Sequence, residues 1–415
     1  MTAPVREGQI TMKKLAIVYP WFADYRRPII EALAQELAGE FEITLISDTQ
    51  ALEPAMKLID PGSLTVGSEP PIHWEFVRNR KIWQFVWQRG LVTKMLRQKY
   101  DTVIFLGEFR TLSTWIGVLI ARCKSRRVYF WSHGMYGNEG WLKLRIRLLF
   151  SGMAHGIFLY GHYAKKLFVQ HGFDPNTMWV VYNSLDHRQQ LAVRQSAPLN
   201  GPAALSTQYF PAHPEAPWLV FIGRLTKRKQ VKLLLDSVHD QFRHGTIVNA
   251  MLIGDGPERA DLESYASELG IREQICFYGP CHEEQQLADL IGAAHVCVSP
   301  GDIGLLAMHC MVYGTPVVTH DDPTTHGPEF EAIVENQTGS FFEKGNIQSL
   351  SREIDKWILL DDEHRSRVRQ NCFYVVDTFF NPEFQSQVFG AVLRGTPPPD
   401  TEVCLPAVPP LSQHH

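Results

Sequence analysis

Short apolar runs rich in β-branched and aromatic residues recur along this chain, and a helical pattern follows most of them. The first series is LAIVYP (15–20), EITLIS, TVIFLG, VYFWS, GIFLY and WVVYN; the second is WLVFIG, NAMLIG, QICFYG, HVCVS, PVVT and GSFFE. Apolar strands that alternate with helices are typical of parallel sheets covered on both faces. The sequence therefore predicts an α/β fold with two Rossmann-like, doubly wound domains in tandem.

The alternation stops between the two series, and this interruption predicts the domain boundaries. Residues 191–216 are rich in Pro, Ala and Ser, which is typical of an interdomain connection. We expect an N-terminal domain over 1–190 and a C-terminal domain over 217–375. A helix is expected over 376–395, and the proline-rich end, 396–415, is expected to be disordered.

Cysteine usage and hydropathy predict the cellular compartment. The seven cysteines include no C-x-x-C pair, which favours a reduced, cytoplasmic protein without a structural zinc site. The first residues do not have the charged and apolar layout of a signal peptide. The longest apolar run, WIGVLIARC from Trp115, is too short to cross a bilayer.

Charge is distributed unevenly between the two halves. Residues 1–190 hold 24 Lys and Arg against 16 Asp and Glu, whereas residues 191–415 hold 16 against 28. Segment 78–99 has seven basic residues and no acidic one, and 141–150 forms a helix with Lys143 and Arg147 on one side. Tryptophan, leucine and basic residues together suit a bilayer interface, so peripheral membrane association is one interpretation and a solvated basic edge is the other. No nucleic-acid-binding module is recognised.

Two loops after predicted strands carry residues that suit a phosphate. Arg224 and Lys229 follow the strand at 218–222, and two such cations fit a diphosphate as well as they fit a solvated basic loop. Gly254 and Gly256 follow the next strand, where glycine allows close approach of a ligand or makes a plain βα turn.

A larger pattern contains both loops. The segments GRLTKRKQVKLLLD, LIGDGPERADLE, ICFYGP and GLLAMHCMVYGTPVV…EAIVENQTGSFF occur in this order between Trp218 and Phe342. They resemble the C-terminal half of the group 1, family 4 retaining glycosyltransferases. VVYNSLD (180–186) and FWSHG (130–134) are similar to two more family segments, whereas 1–130 match only in general layout. The resemblance implies a GT-B fold, two domains facing a cleft, and a last helix that crosses back to the N-terminal domain.

The chain departs from this family at its two usual glutamates. Alignment on the glycines places Gly301 and His309 at those positions, and Asp302 stands one residue after the first. In the family the first glutamate contacts the donor sugar and the second contacts the ribose. The resemblance thus implies a ribose contact for His309, and it leaves Asp302 as a candidate for the sugar.

The remaining candidate residues lie at other predicted strand ends. Gly304 and Leu305 are expected to bind the diphosphate through backbone N–H groups at the start of a helix. Either Glu329 or Glu331 is a candidate carboxylate near the sugar, unless both are helix-start residues. In the N-terminal domain, His133 is a candidate catalytic residue, and Glu108 and Arg110 are candidate acceptor contacts.

The resemblance, together with these residues, implies a retaining, metal-independent transferase. It is expected to move a sugar from a nucleoside-diphosphate donor to a glycan or lipid-linked acceptor, in polysaccharide or cell-envelope glycan synthesis. A leaving phosphate that accepts the acceptor's proton removes the need for a dedicated protein base. Two alternatives remain open, namely a non-catalytic nucleotide-sugar-binding scaffold on the same fold and a sugar-nucleotide epimerase.

Overall fold

The chain folds into two compact units. The computed structural model describes residues 12–51, 57–65, 72–196, 198–403 and 405. The N-terminal unit comprises Met1–Tyr182 and Pro382–Asp400, and the C-terminal unit comprises Asn183–Asn381 and Thr401–His415. Within the described residues, no helix has the length and apolarity needed to cross a bilayer.

The N-terminal unit is built on a parallel seven-stranded sheet. Its elements are β1 (Lys13–Val18), α1 (Arg27–Glu36), β2 (Phe41–Ser47), α2 (Pro61–Thr65), β3 (His73–Phe76), β4 (Arg78–Ile82), β5 (Phe85–Arg89), α3 (Leu91–Arg97), β6 (Thr102–Leu106), α4 (Leu112–Cys123), β7 (Arg127–Ser132), α5 (Trp141–Ser151), β8 (Gly156–Leu159), α6 (His162–Gln170) and β9 (Met178–Val180). The strand order is β3-β2-β1-β6-β7-β8-β9. Strands β4 and β5 form a separate antiparallel hairpin.

The C-terminal unit is built on a parallel six-stranded sheet. Its elements are α7 (His187–Gln195), α8 (Pro202–Tyr209), β10 (Trp218–Ile222), α9 (Val231–Arg243), β11 (Asn249–Ile253), α10 (Arg259–Glu268), β12 (Ile275–Gly279), α11 (Glu284–Ala293), β13 (Val296–Ser299), α12 (Leu306–Met311), β14 (Val317–His320), β15 (Gly339–Phe342), α13 (Ile347–Ile358) and α14 (Asp362–Phe379). The strand order is β12-β11-β10-β13-β14-β15.

Both sheets reverse direction of winding at one pair of strands, and ligands bind α/β sheets beside such a point. The reversal falls between β1 and β6 in the first sheet and between β10 and β13 in the second. The inner strands are buried along most of their length, which explains their continuous apolar sequence. The predicted fold class, two doubly wound Rossmann-like units, is confirmed.

The division of the chain differs from the predicted one. Residues 191–216, expected to be an interdomain connection, lie inside the C-terminal unit and contain the end of α7 and all of α8. Proline suits the first turn of a helix, and Pro202 begins α8, so the Pro- and Ala-rich composition marks a short helix instead of a linker. The two units divide between Tyr182 and Asn183.

The last helix, α15 (Pro382–Arg394), belongs to the N-terminal unit and packs against α1. Residues 376–379, expected in this helix, instead end α14. The Phe389 ring lies 4.1 Å from that of Phe158, measured between centroids, and Arg394 donates to Glu36 Oε1 at 2.6 Å. Of the predicted tail 396–415, residues 404 and 406–415 lie outside the described residues.

Candidate active site

The candidate donor residues converge where β10 and β13 end. The Lys229 ammonium donates to the backbone oxygen of Asp302 at 2.8 Å and lies 3.3 Å from Asp302 Oδ2. Arg228 also pairs with Oδ2, at 2.8 Å. The other carboxylate oxygen, Oδ1, is buried and accepts no hydrogen bond from any described residue. Asp302 therefore keeps one acceptor available, which suits a sugar hydroxyl.

The two cations expected to clamp a diphosphate differ in their surroundings. Arg224 is exposed, and no hydrogen bond or ion pair of its side chain is found among the described residues. Lys229 was expected in an exposed loop, but its side chain retains only 23% of its accessible surface. Asp302 holds its ammonium. A phosphate at Lys229 would have to share that ammonium with a carboxylate.

Gly301 stands where the family carries its first glutamate, and its surroundings exclude any side chain. A Cβ on Gly301 would lie 2.2 Å from the backbone oxygen of Arg228. Gly301 N–H also donates to the backbone oxygen of Lys229 at 3.1 Å. The turn at Lys227–Lys229 thus occupies the space of a side chain, and Asp302 supplies the nearest carboxylate on this segment.

Gly254 and Gly256 serve the packing of two loops. Gly254 has a φ of 141°, and a Cβ there would lie 2.0 Å from the backbone oxygen of Gly223. A Cβ on Gly256 would lie 2.2 Å from the backbone oxygen of Leu225. The close approach of this loop to the loop after β10 explains why both positions are glycine. Contact of these glycines with the donor stays a prediction.

Glu329 lies beside the predicted phosphate-binding turn. Helix α12 begins at Leu306, two residues after Gly304, and Leu305 is its N-cap residue. Glu329 is buried, and its Oε1 accepts from Asn183 Nδ2 at 2.7 Å. A Cβ on Gly304 would lie 3.6 Å from Glu329 Oε2. Glu331, on the same short 3₁₀ turn, is only half-buried.

His309 is paired with a carboxylate that sequence reasoning missed. Its Nε2 lies 3.0 Å from Glu284 Oε1, an oxygen that also accepts from the Tyr313 hydroxyl. Burial would raise the pKa of Glu284, but the hydrogen bond and charge of His309 outweigh it and lower that pKa to about 2. A carboxylate is thus present beside the position of the second family glutamate. It comes from the start of α11, 25 residues earlier, so no local pattern could reveal it.

Two stacked histidines hold the backbone at Ile303. The rings of His320 and His326 lie 4.1 Å apart between centroids, and both residues are buried. Ile303 N–H donates to His326 Nδ1 at 3.2 Å, so that nitrogen carries no proton. Desolvation lowers the pKa of His326, and desolvation with the neighbouring His326 lowers that of His320 to about 4. Two histidines six residues apart at a strand end, in VVTHDDPTTHG, were the overlooked signal.

In the N-terminal unit, His133 directly follows β7. Its ring packs on Tyr160, with centroids 4.7 Å apart. Desolvation and the nearby guanidinium groups of Arg26 and Arg147 lower the pKa of His133, although its side chain is exposed. His133 is therefore neutral at pH 7, which suits it to hydrogen bonding instead of charge pairing.

The other two N-terminal candidates lie between β6 and α4. Glu108 Oε1 accepts from the backbone N–H of Arg110 at 3.1 Å, so this carboxylate closes its own turn. The exposed Arg110 side chain lies over the ring of Phe109 and borders an apolar cavity of about 600 Å³. Arg147, expected to share a helix side with Lys143, is buried, and it donates to the backbone oxygen of Gly134. Only Lys143 of that pair is exposed.

Comparison with solved structures identifies the class of the fold. Across 92% of this chain and 100% of the other, the structure is similar to that of HepE from Anabaena in complex with UDP, with a TM-score of 0.67 and 16% identity. At this identity the likeness establishes the fold alone. The chain has the GT-B fold.

Sequence comparison finds relatives for part of the chain, mostly within the C-terminal unit. Residues 208–373 match the family model described as glycosyl transferases group 1. The chain is 26% identical to alpha-D-kanosaminyltransferase from Streptomyces kanamyceticus over 38% of this chain and 40% of that protein. It is 23% identical to the lipopolysaccharide core biosynthesis glycosyltransferase LpsE from Rhizobium meliloti over 44% of this chain and 51% of that protein. The matched parts thus cover about half or less of these curated relatives.

Proposed function

We propose that this protein is a retaining glycosyltransferase that uses a nucleoside-diphosphate sugar. One observation carries the proposal: the cluster of Arg224, Lys229, Asp302 and Glu329 lies within the segment that matches the group 1 family model. Arg224 offers a free fork of donors for the diphosphate. Lys229 and the backbone N–H groups of Gly304 and Leu305 add to it.

The donor's sugar and ribose are assigned to separate groups. His309, held by Glu284, hydrogen-bonds the ribose. The free oxygen of Asp302 accepts from a sugar hydroxyl, and Glu329 stabilises positive charge that develops on the sugar. Glu331, half-buried on the same turn, is the second candidate for that role.

The reaction needs no dedicated protein base. The bond from the anomeric carbon to the diphosphate oxygen breaks, and a bond to the acceptor oxygen forms on the same face of the sugar. The acceptor's proton passes to the departing phosphate oxygen. Catalysis then rests on positioning and on electrostatic stabilisation of the leaving group.

The acceptor is assigned to the N-terminal unit. His133 is exposed and neutral, and Glu108 and Arg110 lie beyond the neighbouring strand. The relative LpsE is named for lipopolysaccharide core biosynthesis, which supports a glycan or lipid-linked acceptor. We further propose that the protein acts on the cytoplasmic face of a membrane as a peripheral protein.

A donor screen followed by product analysis tests the proposal. UDP, GDP and ADP sugars are screened by thermal shift, since a ligand of the folded state raises the melting temperature. The donor that binds is incubated with and without candidate acceptors, and released nucleotide and the anomeric configuration of the product are measured. Retained configuration with acceptor-dependent release is expected. Binding without release in any combination supports the scaffold alternative, and a changed sugar on an intact nucleotide supports the epimerase.

A further inference from the structure

An apolar cavity opens in the N-terminal unit. It measures about 600 Å³ and lies among the β4–β5 hairpin, the start of α4 and helix α5. Phe85, Phe109, Leu112, Trp115 and Ile146 line it. This volume falls within the range of small-molecule sites, which are also mostly apolar. We refer to it as the hairpin cavity.

The polar groups at the hairpin cavity are basic or neutral. Arg110 and Lys143 border it and are both exposed, and Gln84 is the remaining polar side chain there. The adjoining segment 78–99 holds seven basic residues and no acidic one; none of them lines the cavity, and Lys94 among them pairs with Glu75 at 2.7 Å. A ligand with an apolar body and an anionic group matches this arrangement.

The surface around the cavity has the composition of a bilayer interface. Trp83 at the hairpin tip is 91% exposed, and Trp141 at the start of α5 is 74% exposed. The hairpin pairs Ile82 with Phe85 and Arg80 with Trp87, so these four side chains share one face of the ribbon. Exposed tryptophan beside basic residues is the pattern of segments that lie in the headgroup region.

We propose that the hairpin cavity binds the hydrocarbon chain of a membrane lipid whose head group is anionic. The chain occupies the apolar lining, and Arg110 and Lys143 bind the head-group phosphate. A polypeptide fits less well, because few lining groups could pair with its backbone and unpaired polar groups are costly to bury. That this lipid carries the sugar acceptor rests on the proposed transferase function, whereas lipid binding itself does not.

Dodecyl phosphate, below its micellar concentration, tests the cavity by calorimetry without any sugar donor. Ile146→Glu places a carboxylate in the cavity lining and is expected to weaken binding by tenfold or more. Leu149→Glu is the matched control: Leu149 lies on the same helix, is 67% exposed and does not line the cavity. It is expected to change binding less than twofold. Leu142→Glu, a second exposed lining position, repeats the test if Ile146→Glu lowers the melting temperature.

Equal losses in Ile146→Glu and Leu149→Glu, or no binding by the unmodified protein, would overturn the cavity assignment. Inorganic phosphate alone is expected to bind at least tenfold more weakly than dodecyl phosphate. If it binds equally well, the apolar cavity contributes nothing and the proposal fails.

Vesicles of phosphatidylglycerol with brominated chains test the membrane source. Bromine is expected to quench tryptophan fluorescence, since Trp115 and Trp141 line the cavity. The double variant Arg110→Ala/Lys143→Ala is expected to bind these vesicles at least tenfold more weakly, and Arg145→Ala, an exposed neighbour outside the cavity, less than twofold. Unquenched fluorescence from vesicle-bound protein would exclude chain insertion. Quenching of an unmodified protein that transfers no sugar from any donor would instead reject the proposed function alone.

Discussion

Gly301 lies against the backbone of Arg228 so closely that a Cβ on Gly301 would stand 2.2 Å from the Arg228 oxygen. Sequence alignment treats this position as a lost glutamate, but the turn at Lys227–Lys229 already fills the space. The neighbouring Asp302, in the loop after β13, packs against this turn and pairs with Arg228 and Lys229. The absence of a carboxylate at Gly301 and the presence of one at Asp302 therefore follow from the same local arrangement of the backbone.

Restoring the family glutamate is expected to damage the protein. Gly301→Glu should destabilise the fold by roughly 1–3 kcal/mol, the usual cost of forcing atoms into filled space. Gly304→Ala is the control, because its Cβ would meet Glu329 Oε2 at an ordinary 3.6 Å. Chemical denaturation measures both. A Gly301→Glu protein as stable as the unmodified one would refute the steric explanation.

Substitutions of Arg224 and Lys229 are expected to affect nucleotide binding alike but protein stability differently. Arg224→Ala should weaken nucleoside-diphosphate binding without changing the melting temperature, because the exposed side chain has no described protein partner. A charge-assisted hydrogen bond is worth roughly 1.5–3 kcal/mol, or about 10- to 150-fold in affinity. Lys229→Ala should weaken binding and also lower stability, because it leaves the Asp302 carboxylate with Arg228 alone.

Calorimetric titration with the nucleotide, beside thermal denaturation, checks both substitutions. Arg352→Ala, an exposed arginine on α13, controls for the loss of one positive charge. Affinity unchanged in Arg224→Ala and Lys229→Ala alike would remove both from the donor site.

Substitution of Glu329 is expected to lower turnover. Glu329→Gln removes the charge while its amide oxygen can still accept from Asn183. Loss of one preorganised group that stabilises transition-state charge typically costs ~100-fold or more in kcat, and nucleotide binding should persist. Asp302→Asn and Glu331→Gln are measured beside it, with the exposed Glu273→Gln as control. If all three keep full turnover, the carboxylates are dispensable and the cations with the backbone amides must suffice.

His309 and Glu284 are expected to act together on donor affinity. A ribose contact is made in the ground state and the transition state alike, so His309→Ala should raise KM more than it lowers kcat. Glu284→Gln should shift KM in the same direction, because Glu284 orients the imidazole at 3.0 Å. Glu283→Gln, one residue earlier and exposed, should leave KM unchanged. A fall in kcat alone in His309→Ala would contradict the ribose assignment.

Acidification is expected to destabilise the protein through His320. Its folded pKa is lowered to about 4 from an ordinary 6.5, so between these values the unfolded chain binds a proton that the native protein does not. Stability is therefore unaffected above pH 6.5 and falls as pH drops from 6.5 to 4. One such site gives a slope of about 1.4 kcal/mol per pH unit. Urea denaturation across this window measures it.

His320→Asn is the informative variant, because its side chain does not titrate. Its stability should depend less on pH between 6.5 and 4 than that of the unmodified protein, even if its stability at pH 7 is lower. His282→Asn, at an exposed position, should keep the original dependence. Identical slopes in all three proteins would exclude His320 as a source of the effect.

The parts that the sequence could reveal are those that depend on local pattern. Buried parallel strands need apolar side chains on both faces, so runs such as WLVFI and NAMLI are recognisable without a partner. The residues after such strands, including Arg224 and Asp302, were then placed at one edge of a sheet by topology.

The missed parts depend on contacts between distant segments. Asn183 meets Glu329 across 146 residues, and Glu284 meets His309 across 25, so neither pairing follows from spacing. The hairpin was missed for a different reason: segment 78–99 is rich in basic residues, and apart from one bridge between Val86 and Thr111 its two strands are described as pairing with each other. Alternation of apolar and basic residues in such a segment does not distinguish a two-stranded hairpin from the solvent-exposed edge of another element.

The position of α15 has a consequence for how the protein is made. Phe389 packs on Trp131 and Phe158, and Arg394 binds Glu36, so the N-terminal unit contains residues that the ribosome adds after Asn183–Asn381 of the C-terminal unit. During synthesis, Trp131 and Phe158 therefore lack their Phe389 contact until residues 183–381 have been translated. The N-terminal unit, although its first residues are translated first, therefore cannot complete its packing until α15 has been translated.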